Sequence, residues 1–153
     1  MPPVLLALGA KTIGIKMKSN SILKFMFILG AVVDGAIAAS WFFIAAGWEI
    51  PNIFSGYIGS GPDYQFAMYI GAMFMTGWAI LLAWGALKPV ERKGLLLITS
   101  GFLILSVVVE LSFFYNVLGG PVFIFGVSKR LFISVLFISA YYYSLKNKIN
   151  NIA

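Results

Sequence analysis

Four apolar runs of membrane-spanning length, separated by short turns rich in glycine, proline and charge, leave this chain few ways to fold. A spanning helix needs about 20 consecutive apolar residues to cross a hydrocarbon layer of roughly 30 Å. Residues 22–48, 64–87, 94–118 and 122–145 each meet that length. With 61% hydrophobic and only 10% charged residues, a water-soluble fold of 153 residues has no way to hide its apolar surface. The expected fold is all-α: a polytopic four-transmembrane-helix bundle, a multi-pass integral protein of the plasma or inner membrane whose first partner is the lipid bilayer. The bundle occupies 22–145, between an N-terminal basic segment (1–21) and a basic tail (146–153), and no length remains for a soluble domain.

Two absences narrow the chemistry. Without cysteine there is no disulfide, thiolate nucleophile or iron–sulfur ligand, and without histidine the common haem ligand, the usual zinc ligand and the commonest general base are missing. A single-chain b-type cytochrome is excluded, and no metal or cofactor is expected. The net charge of +6 does not point to nucleic acid, because the basic residues cluster at the ends of apolar runs.

That clustering sets an orientation. Lys11, Lys16, Lys18 and Lys24 precede or open the first span, the turn Lys88-Pro89-Val90-Glu91-Arg92-Lys93-Gly94 joins the second to the third, and Lys146 and Lys148 follow the fourth. The loop from Glu49 to Asp63 carries no Lys or Arg. The positive-inside rule therefore expects both termini in the cytoplasm, with Trp48, Tyr57 and Tyr64 in one interfacial belt and Trp84, Tyr141, Tyr142 and Tyr143 in the other. The apolar run Pro2–Ala10 is too short to span, so 1–21 reads as an interfacial helix held on anionic lipid by its lysines or as a partly ordered tail, with Met17 as an alternative natural start. Ala36-Ile37-Ala38 resembles a signal cleavage site, but Asp34 interrupts the apolar core before it and hydrophobicity continues beyond, so the span is read as retained.

Charges inside the spans are the candidates for function, since each costs at least ~2.5 kcal/mol to insert and normally faces the bundle interior. Asp34 lies mid-span, about 15 Å from Lys24 at the helical rise. Glu110 in the third span and Arg130 in the fourth fall at one depth and are expected to form an ion pair, while Lys129 snorkels outward. Helical spacing places Asp34 with Gly30, Ala38 and Trp41, lines Thr99, Ser106, Glu110 and Phe113 on one face, and lines Arg130, Ser134, Phe137 and Tyr141 on another. The expectation is a narrow polar cavity holding both carboxylates and the guanidinium, closed on the cytoplasmic side by tyrosines. Ala31, Gly35 and Ala39, and likewise Gly71, Gly77 and Gly85, read as small residues for close helix contact. Trp41 and Trp78, mid-span, read as core packing or as a stacking surface for a flat ligand.

The run Gly77-Trp78 and Trp84-Gly85-Ala86-Leu87-Lys88-Pro89-Val90-Glu91-Arg92-Lys93-Gly94 resembles a stretch of small, uncharacterised four-helix membrane proteins of prokaryotes; the resemblance implies the four-helix plan and carries no function. The plan is also similar to the four-helix sterol-isomerase-like domains, which hold acidic residues in a lipid-facing cavity. The histidine often important in those enzymes is missing here, so no role transfers.

Three functional readings follow. The first is a binding or transport module for a small amphipathic or cationic ligand, gripped by Asp34 and Glu110. The second is a non-catalytic accessory subunit or homo-oligomer of a membrane complex, its polar residues only specifying packing. The third, an intramembrane lipid-modifying enzyme, needs two carboxyls acting as acid and base, yet Asp34 and Glu110 differ in depth by about 9 Å.

Overall fold

The computed structural model of the chain describes residues 3–53, 55–115 and 121–149, all of its regular structure helical. Helix α1 runs Pro3–Ala45. Proline is tolerated in the first helical turn, and none follows before Pro51 to remove a backbone donor. The segment expected as a separate interfacial element thus joins the first span without a break. The stop comes from Gly47 at φ 94°, which lets its N–H reach the carbonyl of Ile44 at 2.9 Å and the N–H of Trp48 reach Phe43 at 3.1 Å, closing a Schellman motif.

Gly61, also at φ 94°, turns the chain into α2 (Pro62–Gly85), with Pro62 in the first turn and Asp63 at the positive end of the helix dipole. A tight turn over 86–93 follows, held by the Arg92 guanidinium, which stacks 3.2 Å over the Trp84 ring and donates to the Trp84 carbonyl. Helix α3 (Gly94–Val109) continues directly into a π-helical turn, Glu110–Phe114. Helix α4 runs Pro121–Ile149. The break expected at Gly119-Gly120 lies outside the described residues.

Four stretches, Ser19–Ala45, Pro62–Gly85, Gly94–Phe114 and Phe123–Lys146, are long and apolar enough to cross a membrane, which suggests a multi-pass membrane protein. Side chains are sorted as that suggests. Phe25, Phe74, Phe113 and Phe132 point outward, whereas Ser100, Arg130 and Ser134 are fully buried. The apolar core sits near the end that carries the basic turn, where Leu23 and Phe27 of α1 meet Leu82, Leu96, Phe137 and Ala140.

Among the described residues, close approach between helices depends on three helical glycines. A methyl group on Gly30 would press on Leu82 and Phe137 at 3.0 Å, one on Gly71 would meet the Trp41 ring at 2.8 Å, and one on Gly85 would collide with Phe27. Two sequence expectations need correction: Gly77 and Gly35 have nothing within 4 Å, so neither mediates a helix contact. Spacing alone does not reveal which face of a helix its neighbour takes.

Helix α1 packs along α2 and against α4, and α4 packs along α3. The helices are therefore ordered α2–α1–α4–α3. Although α2 and α3 share the shortest connection, their backbones stay apart, and side chains alone cross the gap. Trp78 makes the crossing: its ring meets Phe102 edge-on at 5.9 Å and its indole N–H donates to Thr99 Oγ1 at 3.3 Å.

Candidate functional site

The gap between α2 and α3 is a groove of about 330 Å³, walled by Phe74, Met75 and Trp78 on one side and by Thr99, Phe102, Leu103 and Ser106 on the other. Its floor is Asp34, because α1 lies behind both helices. Phe74 and Phe102 are 77% and 59% exposed, so the mouth opens on the outer, apolar face of the bundle.

Asp34 is only 9% exposed, and among the described residues its carboxyl makes no hydrogen bond or ion pair. It also lines a second, smaller chamber of about 20 Å³ between α1, α3 and α4, together with Gly30, Thr99, Leu103, Lys129 and Arg130. That volume suffices for a single water. Asp34 is thus the one acidic group facing both the open groove and the interior of the bundle.

Arg130, 1% exposed, is saturated by contrast. Its two terminal nitrogens grip the Glu110 carboxylate bidentately, with Nη1 at 2.9 Å from Oε1 and Nη2 on Oε2. Nη1 also donates to Ser106 Oγ at 3.1 Å, and Nε donates to the carbonyl of Gly126 at 3.2 Å. The expected ion pair is present. Glu110 opens the π-helical turn, the kind of irregularity that re-aims side chains within a helix.

The single cavity with two carboxylates does not form in this arrangement: Glu110 lines neither the groove nor the chamber, because the guanidinium occupies both of its oxygens. Ser106 belongs to the site, bordering the groove while bonding Arg130. Ser134 does not, since its hydroxyl returns to the Arg130 carbonyl at 2.9 Å. Trp41 is turned away as well: its indole donates to Asn52 Oδ1 at 2.9 Å and pins the 46–61 loop. Tyr141 lies beside Tyr142 and under the Lys93 ammonium at 5.5 Å, so it lines neither cavity. Lys129 reaches the same loop from α4, donating to the carbonyl of Ile53 at 3.0 Å, as a snorkelling lysine does.

Sequence reasoning did not single out Phe74, Met75 or Phe102. Phe102 lies three residues after Thr99 and four before Ser106, so the polar stripe on α3 already contained it. Phe74 and Met75 stand four and three residues before Trp78 and share its face in the same way. The site is a slot with aromatic and thioether walls, two hydroxyls and, at its base, one carboxyl without a partner among the described residues.

Family models, curated proteins and solved structures were each compared with this chain, and none matches it.

Proposed function

We propose that this protein is a binding or transport module for a small amphipathic organic cation, which it takes up sideways from the bilayer into the groove between α2 and α3. The observation that carries the reading is the Asp34 carboxyl, buried and without a partner among the described residues, at the floor of a groove open to the apolar face. An anionic group held in apolar surroundings is costly unless a cation joins it. The walls suit the rest of such a ligand. Trp78 and Phe102 present ring surfaces that favour a desolvated cation, Met75 adapts to irregular shapes, and 330 Å³ falls within the range of small-molecule pockets.

The orientation that goes with this function puts both termini in the cytoplasm of a cell that carries the protein in its plasma or inner membrane. It is supported by Lys24, Lys88, Arg92, Lys93 and Lys146, which fall at one end of the spans, and by the 49–63 loop, which has no Lys or Arg. The accessory-subunit reading accounts for the Glu110–Arg130 pair as a packing device but leaves Asp34 unexplained. A lipid-modifying enzyme needs two carboxyls on one reacting space, and Glu110 lines no space that Asp34 does.

The test is equilibrium binding of tetraphenylphosphonium to the protein in nanodiscs, followed through tryptophan fluorescence. Asp34→Asn is expected to weaken binding at least about tenfold, the equivalent of ~1.4 kcal/mol, with the helical spectrum intact. Equal affinity in wild type and Asp34→Asn would refute the assignment.

A further inference from the structure

A second concavity lies on the opposite face of the α1–α2 pair. It is an apolar groove of about 570 Å³, bordered by Ile28, Val32 and Phe42 of α1 and by Thr76, Ile80 and Ala83 of α2. The one hydroxyl on this wall, that of Thr76, is spent on the carbonyl of Ala72 at 2.8 Å and leaves the surface apolar. Gly35 faces the groove with open space beyond it, so the small residues expected to admit a neighbouring helix instead shape an unfilled channel.

The channel shares a wall residue with a second hollow. Ala86 borders it and also borders a notch of about 230 Å³ lined by Asn20 and Lys24 of α1 and by Lys88, Pro89, Val90 and Glu91 of the turn. Two lysines from separate elements border the notch, and Phe27 of α1 packs on Gly85 just before the turn, where a side chain would collide. Lys88 pairs with Glu91 at 3.4 Å, but both side chains are more than half exposed, and such pairs are weak and readily exchanged. Lys24 has no ion-pair partner among the described residues.

We infer that the notch and channel together hold one anionic phospholipid, its phosphate between Lys24 and Lys88 and an acyl chain along the channel. Dimensions agree with this occupant. From Ile28 to Phe42 the helical rise covers about 21 Å, longer than the ~15 Å that one leaflet of the hydrocarbon layer provides. Charge agrees as well, since two lysines and one glutamate give the notch a positive balance at the end where the chain's basic residues gather. The site shares no residue with the Asp34 groove, and it stands whether or not that groove binds a cation.

The experiment is native mass spectrometry of the full chain with dioleoyl phosphatidylglycerol, dioleoyl phosphatidylcholine and glycerol phosphate. Phosphatidylglycerol is expected to bind more tightly than phosphatidylcholine, by about fivefold for each lysine at the phosphate, and glycerol phosphate not measurably. Lys24→Gln with Lys88→Gln should bring the lipid preference close to unity. Lys146→Gln with Lys148→Gln removes the same charge elsewhere and should leave the preference in place. Gly35→Leu, whose Cβ would meet nothing within 4 Å, puts a side chain into the channel and should lower retention of both lipids while the helical spectrum persists. A preference that survives loss of Lys24 and Lys88, or that the tail variant erases equally, overturns the site. So does a lipid-independent dimer that Gly35→Leu dissociates, which would assign the channel to a second copy of the chain.

Discussion

Two acidic residues occupy the spans of this bundle, and the structure treats them in opposite ways. Glu110 has a guanidinium across both oxygens, while Asp34, one helix away, has open volume on two sides and no partner among the described residues. A carboxylate held bidentately inside a packed interface is already neutralised and has no capacity left for a ligand. One that faces an open groove keeps that capacity. In a helix long and apolar enough to cross a membrane, then, a buried charge points to a ligand site only once its partners are known, and depth along the helices already offers Glu110 a partner in Arg130 and none to Asp34.

The sharpest way to break this contrast is to strand Glu110. Arg130→Gln removes the partner of a carboxylate whose side chain is only 13% exposed, and leaving a buried charge unpaired typically costs ~3–5 kcal/mol. Glu110→Gln together with Arg130→Gln should recover much of that loss, because no buried charge is then left unpaired. Reversible unfolding in mixed micelles measures both. If the double variant is no more stable than Arg130→Gln alone, the pair is not a self-contained packing unit and the contrast with Asp34 fails.

A smaller effect tests the packing that sets Asp34 behind the groove. Gly85→Ala places a methyl group against Phe27 in the apolar core and should destabilise by ~1–3 kcal/mol, the usual cost of overpacking. Gly77→Ala, eight residues earlier on the same helix, meets nothing and should be neutral or stabilising by up to ~1 kcal/mol through helix propensity. Equal effects in the same unfolding assay would mean that α1 and α2 do not approach as described. Smaller again is Trp78→Phe. It deletes the hydrogen bond to Thr99 across the α2–α3 gap, and polar contacts between membrane helices average only ~0.6 kcal/mol. Its larger consequence should be weaker cation binding, since Trp is the best of the aromatic faces for a cation.

Four helices long and apolar enough to cross a membrane, and the Glu110–Arg130 pairing, were legible in the amino-acid sequence, because each follows from a one-dimensional quantity: run length, or depth counted along a helix. The helix order was not, and the site depends on it. Trp41 and Asp34 lie seven residues apart on one face of α1, yet Trp41 is drawn to Asn52 by a loop whose path periodicity does not describe. Tyr141 continues the Arg130 stripe by spacing but sits several turns nearer the basic end. The groove itself arises because α2 packs along α1 and α3 along α4, so that these neighbours in sequence do not pack along one another. Nothing in a stripe of apolar residues records which of two neighbours stays at a distance.

The smallest expected effect on stability decides most about function. Asp34→Asn keeps the shape and both polar atoms of the side chain and removes only the ability to carry a negative charge. Because the carboxyl makes no hydrogen bond or ion pair among the described residues, no native contact is lost, and the unfolding midpoint should stay within about 0.5 kcal/mol of wild type. A fall of several kcal/mol would instead give Asp34 a structural partner and place it in the same class as Glu110. Unchanged stability with lost binding of an organic cation separates the two carboxylates as the geometry does: Glu110 holds the helices, and Asp34 holds what enters between them.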